Sequence, residues 1–325
     1  MTTFNIYVRE NISDPKTTLA TGLTSLSYSA SGLTKGKKYL FSVGAEKNGV
    51  EKISDEKVIL AGEAWTPANL ANPSKLWLSA ENVVVDSSNR ISQATDLSGN
   101  NYHFTQTSNS LKPLLVVDTI LNRPVFKFDG INDYMNNRDA NTISKNISHL
   151  WSLAIHKKDE DVIGTNTILR YVVGTSPYNT GRFAHYASTG GLTMVGLGTR
   201  RLDSDSISGH YNTVGKGTAW VISLAYQNYS QASSLVSVDG DEYSLSPAGT
   251  TGLTSNTSPA SASAWLGTER AEVGFLKGCI AEVVSGNTAL TQSDIDKLFG
   301  WAAHKYGLTD NLPEGHPYKI LVPTV

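Results

Sequence analysis

Pro124-Val125-Phe126-Lys127-Phe128-Asp129-Gly130-Ile131-Asn132-Asp133-Tyr134-Met135 decides the fold class. Phe126 and Phe128 fall on one face of an extended chain and Lys127 on the other, the period of a strand buried on one side. Asp129-Gly130 then brings the residues of a tight reversal, so the spacing predicts a half-buried hairpin. The rest of the chain follows the same pattern, with 28 glycines, only 17% charged residues among 325, and short apolar runs divided by Gly, Asn, Asp and Pro. Such a composition describes an all-β protein with many turns, and its length suits two units.

Working outward, short strands with turn signals recur from Leu76-Trp77-Leu78 to about residue 285. Ala94-Thr-Asp96-Leu-Ser98-Gly99-Asn100-Asn101-Tyr102 reads as a turn, and Leu235-Val-Ser-Val238-Asp239-Gly240 as a strand entering one. Near the end, Cys279-Ile-Ala-Glu282-Val-Val284 is a strand, after which Thr291 and Asp294 supply a helix N-cap and its acid three residues on. Ile295, Leu298, Phe299 and Ala302 then form one apolar stripe at helical spacing, and Gly307 is placed to end it.

Together with F-D-G-x-x-D-Y, these phrases resemble LamG-like, concanavalin-type jelly rolls, and the matches span residues 75–310. The resemblance implies a two-sheet antiparallel jelly-roll sandwich with one C-terminal helix at about 292–306, on a fold used more often to hold glycans or partner proteins than for chemistry. Residues 1–61 carry a shorter β series at Phe4–Val8, Leu26–Ser29, Tyr39–Ala45 and Val58–Leu60. Gly32-Leu-Thr-Lys-Gly36-Lys-Lys-Tyr39 resembles the L-x-x-G-x-x-Y phrase of fibronectin type III domains, which need about a hundred residues, so this segment is expected to be half a sandwich with an open edge and an uncovered face. Residues 62–74, with Pro67 and Pro73, read as a stiff linker to a jelly roll over 75–325.

A net charge of −2 provides no footprint for nucleic acid or anionic lipid, and no apolar run is long enough to span a membrane. The first ten residues lack the basic and apolar regions of a secretory signal, and the single Cys279 excludes an internal disulfide. Those features, with the resemblance, imply a tailed-phage virion protein made in the host cytoplasm and acting outside it after release. Its expected partners are other virion proteins through residues 1–60, a host cell-surface saccharide, and further copies of itself, trimers being common among such appendages.

Catalysis finds little in the sequence. Glycoside hydrolysis needs two carboxylates about 5 to 9.5 Å apart, and the E-x-D-x-x-E string of laminarinase-like enzymes is absent; Glu269, Glu272, Glu282, Asp239 and Asp241 would have to converge from separate strands. The seven histidines are scattered without metal-ligand spacing. Asp129, Asn132 and Asp133 put three oxygen side chains within five residues, the ligand type of calcium, while the same residues serve a turn by bonding their own backbone. Turn chemistry is the simpler account, and no cofactor is expected.

Saccharide binding needs aromatic faces beside polar groups that fix hydroxyls. Tyr178, Asn179, Arg182, His185 and Tyr186 offer that mixture, as do His210 and Tyr211, and Tyr226 with Tyr229, all expected in turn-rich loops. The sequence therefore predicts a non-enzymatic tail or fibre appendage whose jelly roll binds host glycan or protein through these loops. A purely structural decoration protein and a polysaccharide depolymerase are the alternatives.

Overall fold

The computed structural model describes all residues except 1, 26, 27, 29, 35, 63, 139–142, 144–147, 160–166, 174–181, 187–193, 201–206, 214–218, 229–232, 246–261 and 269–273. Five strands make the N-terminal sheet: β1 (Thr3–Arg9), β2 (Thr17–Leu23), β3 (Lys38–Lys47), β4 (Val50–Ile53) and β5 (Lys57–Leu60). Their order is β2-β1-β3-β4, with β5 on the other half of the β3 edge, so among the described strands β2 is an edge. This edge strand lies ahead of the Leu26–Ser29 stretch expected as a strand, most of which falls outside the described residues. The sheet's own core is small, built on Val8, Tyr39 and Ala61 with Leu19, Leu33 and Phe41 packed on it.

The larger unit contains β6 (Leu76–Val85), β7 (Ile91–Asp96), β8 (Phe104–Thr105), β9 (Leu114–Asp118), β10 (Arg123–Asp129), β11 (Met135–Asn137), β12 (His149–Lys158), β13 (Thr167–Val173), β14 (Arg182–Tyr186), β15 (Met194–Arg200) and β16 (Ile207–Thr213). It continues with β17 (Val221–Asn228), β18 (Ser233–Val238), β19 (Asp241–Leu245), β20 (Ala262–Leu266), β21 (Lys277–Gly286) and helix α1 (Gln292–Tyr306). One layer runs β9-β10-β21-β12-β17-β18-β19; the other runs β16-β15-β14-β13-β20-β11-β8-β7. Strand β6 joins them, pairing Leu76 to Ser79 with β21 and Val83 to Val85 with β7. All these pairs are antiparallel, as expected for an all-β two-sheet sandwich with one helix.

The central strands of the first layer are buried on both faces. Along β12, Leu150 and Ala154 enter the core between the layers, where Phe126, Phe128, Met135, Leu266 and Ile280 also sit. Trp151, Leu153 and Ile155 face the opposite way, into a second core closed by Ile295, Leu298, Phe299 and Ala302 of α1. That double burial is why β12 reads as an almost continuous apolar run rather than an alternation. The helix begins where Thr291 Oγ1 accepts the Asp294 N–H and Asp294 Oδ2 accepts the Thr291 N–H at 3.0 Å, and ends at Gly307 with φ +68°. The segment expected to be a linker joins this second core: Trp65 and Leu70 are buried in it, and the Trp65 N–H donates to the Pro323 carbonyl at 2.8 Å.

Glu282 ties the helix to the sheet. A bulge in the β12–β21 pairing sets Ala281 and Glu282 together, so Glu282, opposite Ile155, points its carboxylate toward α1. With no exposed surface, it accepts from Trp77 Nε1, from Lys305 Nζ at 2.8 Å and from Tyr306 Oη at 2.6 Å. Burial pushes its carboxyl up while the Lys305 ammonium opposes the shift. Lys305 also reaches Glu81 at 3.3 Å and lies over the Trp301 and Tyr306 rings.

The Pro124–Met135 stretch is a correction as well as a confirmation. Phe126 and Phe128 share the inner face with rings 6.5 Å apart, while Lys127 pairs outward with Asp159. No hairpin follows, because both edges of β10 are occupied, by β9 and β21, and the chain crosses to the other layer, where β11 pairs with β8 and β20. Asp129 Oδ1 holds the crossover by accepting the N–H groups of Ile131 (2.8 Å), Asn132 (3.1 Å) and Asp133 (3.2 Å), and Asp133 Oδ2 accepts the Asp129 N–H at 3.1 Å. Gly130 sits at φ +78°, and a Cβ there would lie 2.5 Å from that of Lys277. Burial, then the neighbouring Asp129 charge, pushes the Asp133 carboxyl up to about 6.

Two outcomes follow for stability. Glu282→Ala strands the buried Tyr306 hydroxyl and Trp77 N–H and is expected to cost about 3 kcal/mol in urea unfolding of the larger unit; a loss under about 1 kcal/mol would contradict the role given to it. Because the fold raises the Asp133 pKa above its ordinary 3.8, folding takes up a proton between pH 3.8 and about 6, and stability falls as pH rises through that window. Asp133→Asn, which retains an oxygen for the Asp129 N–H, should remove that dependence, worth up to about 3 kcal/mol, when unfolding is measured from about pH 4 to 7.

Candidate functional site

The outer face of the second layer is built by alternation. Phe104, Met135, Ala264 and Leu266 point inward and are buried, so His103 and Thr105 near β8, Tyr134 and Asn136 at β11, and Trp265 on β20 point away from the core. Register aligns them: one ladder row runs Gln93, Thr105, Asn136, Trp265, Arg170, Ala184, Gly198, Gly209 across the layer. Against this row, residues 106–111 fold up as a wall and enclose a cleft of about 650 Å³.

Each wall of the cleft is fixed by hydrogen bonds that occupy some polar groups and leave others. Gln106 is used at both ends: its Nε2 donates to the Tyr134 carbonyl at 3.2 Å, and its Oε1 accepts the Ser108 N–H at 3.0 Å. Leu111 O accepts the Tyr134 N–H at 3.0 Å, and Asn137 Nδ2 donates to the His103 carbonyl at 2.9 Å. His103 Nδ1 accepts the Asp96 N–H at 3.0 Å, which places the ring proton on Nε2. The Tyr134 ring, 9% exposed, rests 5.5 Å from the half-buried indole of Trp265, and Arg138 is exposed at the end of β11. The cleft is thus lined by the edge of one mostly buried tyrosine, by small hydroxyl and amide side chains and by one guanidinium, with Trp265 packed on Tyr134 outside the lining. No carboxylate lines it among the described residues.

The residues expected to bind saccharide fall elsewhere on the same layer. Arg182, His185 and Tyr186 lie on β14, and His210 and Tyr211 on β16, in strands rather than the loops expected for them. Strand β15 brings the two groups together: His185 and His210 both pair with Leu197, and Tyr186 and Tyr211 both pair with Gly196. Tyr178, Asn179 and Tyr229 lie outside the described residues. Tyr226 belongs to the packing, its hydroxyl 2.8 Å from His149 Nδ1 and its ring stacked on that imidazole against the helix-side core.

The carboxylates have structural commitments. Asp129 and Asp133 serve the crossover described above, and Asn132 donates its backbone N–H to it. Asp96 accepts from Trp77 N, Ser98 N, Ser98 Oγ and Tyr102 N, closing the D-x-S-G-N turn. Asp118 accepts from Lys157 Nζ, Trp220 Nε1 and two backbone N–H groups, and Asp239 accepts the Ile222 N–H at 2.8 Å. Glu282 is sealed beneath α1, beyond reach of a substrate, while Glu269 and Glu272 lie outside the described residues. Among the described residues, no cluster of three His, Cys, Asp or Glu side chains is arranged to hold a metal ion.

No family model and no curated protein matches the chain. Among solved structures, the chain is similar to domain 4 of AbnA, a GH43 extracellular arabinanase from Geobacillus stearothermophilus, in complex with arabinotriose, at 15% identity, 69% coverage of this chain, 97% of that chain and a TM-score of 0.48. The CBM40 of the Ruminococcus gnavus IT-sialidase, bound to α2,3-sialyllactose, matches at 13% identity, 52% and 95% coverage, and TM-score 0.41. The binding domain of botulinum neurotoxin serotype D matches at 13% identity, 70% and 50% coverage, and TM-score 0.48. None of these likenesses carries the functional reading, which rests on the cleft.

Proposed function

We propose that the larger unit is a saccharide-binding module that holds its ligand in the cleft between β8, β11 and residues 106–111. The observation that carries this reading is the cleft's lining. About 650 Å³ is within the range of about 300–1,000 Å³ typical of small-ligand sites, and the Tyr134 ring, supported from outside the lining by Trp265, adjoins Thr105, Asn136 and His103. A sugar ring presents a C–H face to the first and hydroxyls to the second. With no carboxylate in the described lining, the reading is of binding without hydrolysis.

A second reading concerns the N-terminal sheet. Val43 and Ile59 are 41% and 44% exposed on a sheet in which β2 has no second partner among the described strands, which favours attachment to another protein. The placement on a virion rests on the sequence resemblance.

A glycan array probed with the full chain tests the first reading. Retention of a defined glycan set is expected, with Trp265→Ala and Asn136→Ala each weakening affinity about tenfold while circular dichroism stays unchanged. Absence of retention on any glycan, or retention indifferent to both substitutions, would contradict it.

A further inference from the structure

Among the charged groups of the described lining there is a guanidinium and no carboxylate, set among the neutral hydroxyl and amide groups of Thr105, Thr107 and Asn136. Gln106 is buried and bonded at both ends, which fixes its amide as part of the wall. His103, its Nδ1 occupied by the Asp96 N–H, retains only the Nε2–H, a donor. Arg138 is exposed and makes no ion pair among the described residues, and its guanidinium offers a planar fork of donors matched to a carboxylate. Acceptors of full negative charge are missing from the described lining; sugar hydroxyls can accept from these donors, but a carboxylate meets the guanidinium with opposite charge and two parallel hydrogen bonds.

We infer that the cleft selects an acidic sugar, a hexuronic acid unit whose carboxylate is held by Arg138 and His103 while its ring packs toward Tyr134. The inference rests on the saccharide-binding reading and deepens it by naming the ligand class. Arg138 acts as the specificity residue: it rewards the carboxylate and contributes little to a neutral sugar, because a charge-assisted hydrogen bond is about twice as strong as a neutral one.

The test compares oligogalacturonate with the same oligomer after carboxyl reduction, by calorimetry on the full chain. The acidic form is expected to bind at least about tenfold more tightly, an advantage of about 1.4 kcal/mol that shrinks with added salt. Arg138→Gln should abolish the preference without abolishing binding of the reduced oligomer. Equal affinity for the two oligomers, failure to bind the acidic one, or a preference that survives Arg138→Gln would each overturn the inference. Those outcomes leave the broader reading standing wherever the array shows a neutral glycan held in a manner that Trp265→Ala weakens; loss of that effect as well would remove both.

Discussion

A carboxylate without water governs the larger unit. Glu282 lies in the strand that pairs with β6, β10 and β12, and its donors come from β6 through Trp77 and from α1 through Lys305 and Tyr306. Desolvating a carboxylate costs several kcal/mol, and only a complete set of donors offsets that. The set is complete only when helix and both strands occupy one relative position, so the ion fixes a register that the apolar contacts of Leu298 and Phe299 alone would leave freer. Packing supplies most of the favourable energy; Glu282 specifies the arrangement that receives it.

That arrangement assigns the faces. Helix α1 covers the outer side of the first layer's central strands. The second layer's inner side is filled by Phe104, Met135 and Leu266, so Thr105, Asn136 and Trp265 face outward. The proposed cleft lies against the ladder row that passes through Thr105 and Asn136, and the crossover capped by Asp129 and Asp133 delivers Tyr134 beside it.

Much of the fold is legible in local patterns. The Phe126-Lys127-Phe128 alternation, the Thr291–Asp294 cap and the stripe of Ile295, Leu298 and Phe299 are short-range signals, and the structure keeps each one. The expected hairpin fails because Asp-Gly turn chemistry is the same whether the chain turns back or crosses to another sheet; the occupation of both β10 edges decides, and that is a tertiary fact. Trp65 and Leu70 look like linker in the sequence because prolines and small residues surround them, although their size hints at burial.

The cleft escapes a sequence reading for a related reason. Its parts, His103-Phe104-Thr105, Tyr134-Met135-Asn136 and Ala264-Trp265-Leu266, are short alternations separated along the chain, each too brief to stand out beside the tyrosine-rich stretches at 178–186 and 210–211. The alternation of a polar or aromatic residue with a buried one is the available signal. Hydrogen–deuterium exchange, measured with and without a saturating glycan chosen from the array, tests the central claim most directly. Protection concentrated at residues 103–108 and 134–138 is the predicted result; protection confined to β14 and β16, or spread without relation to the cleft, would contradict it.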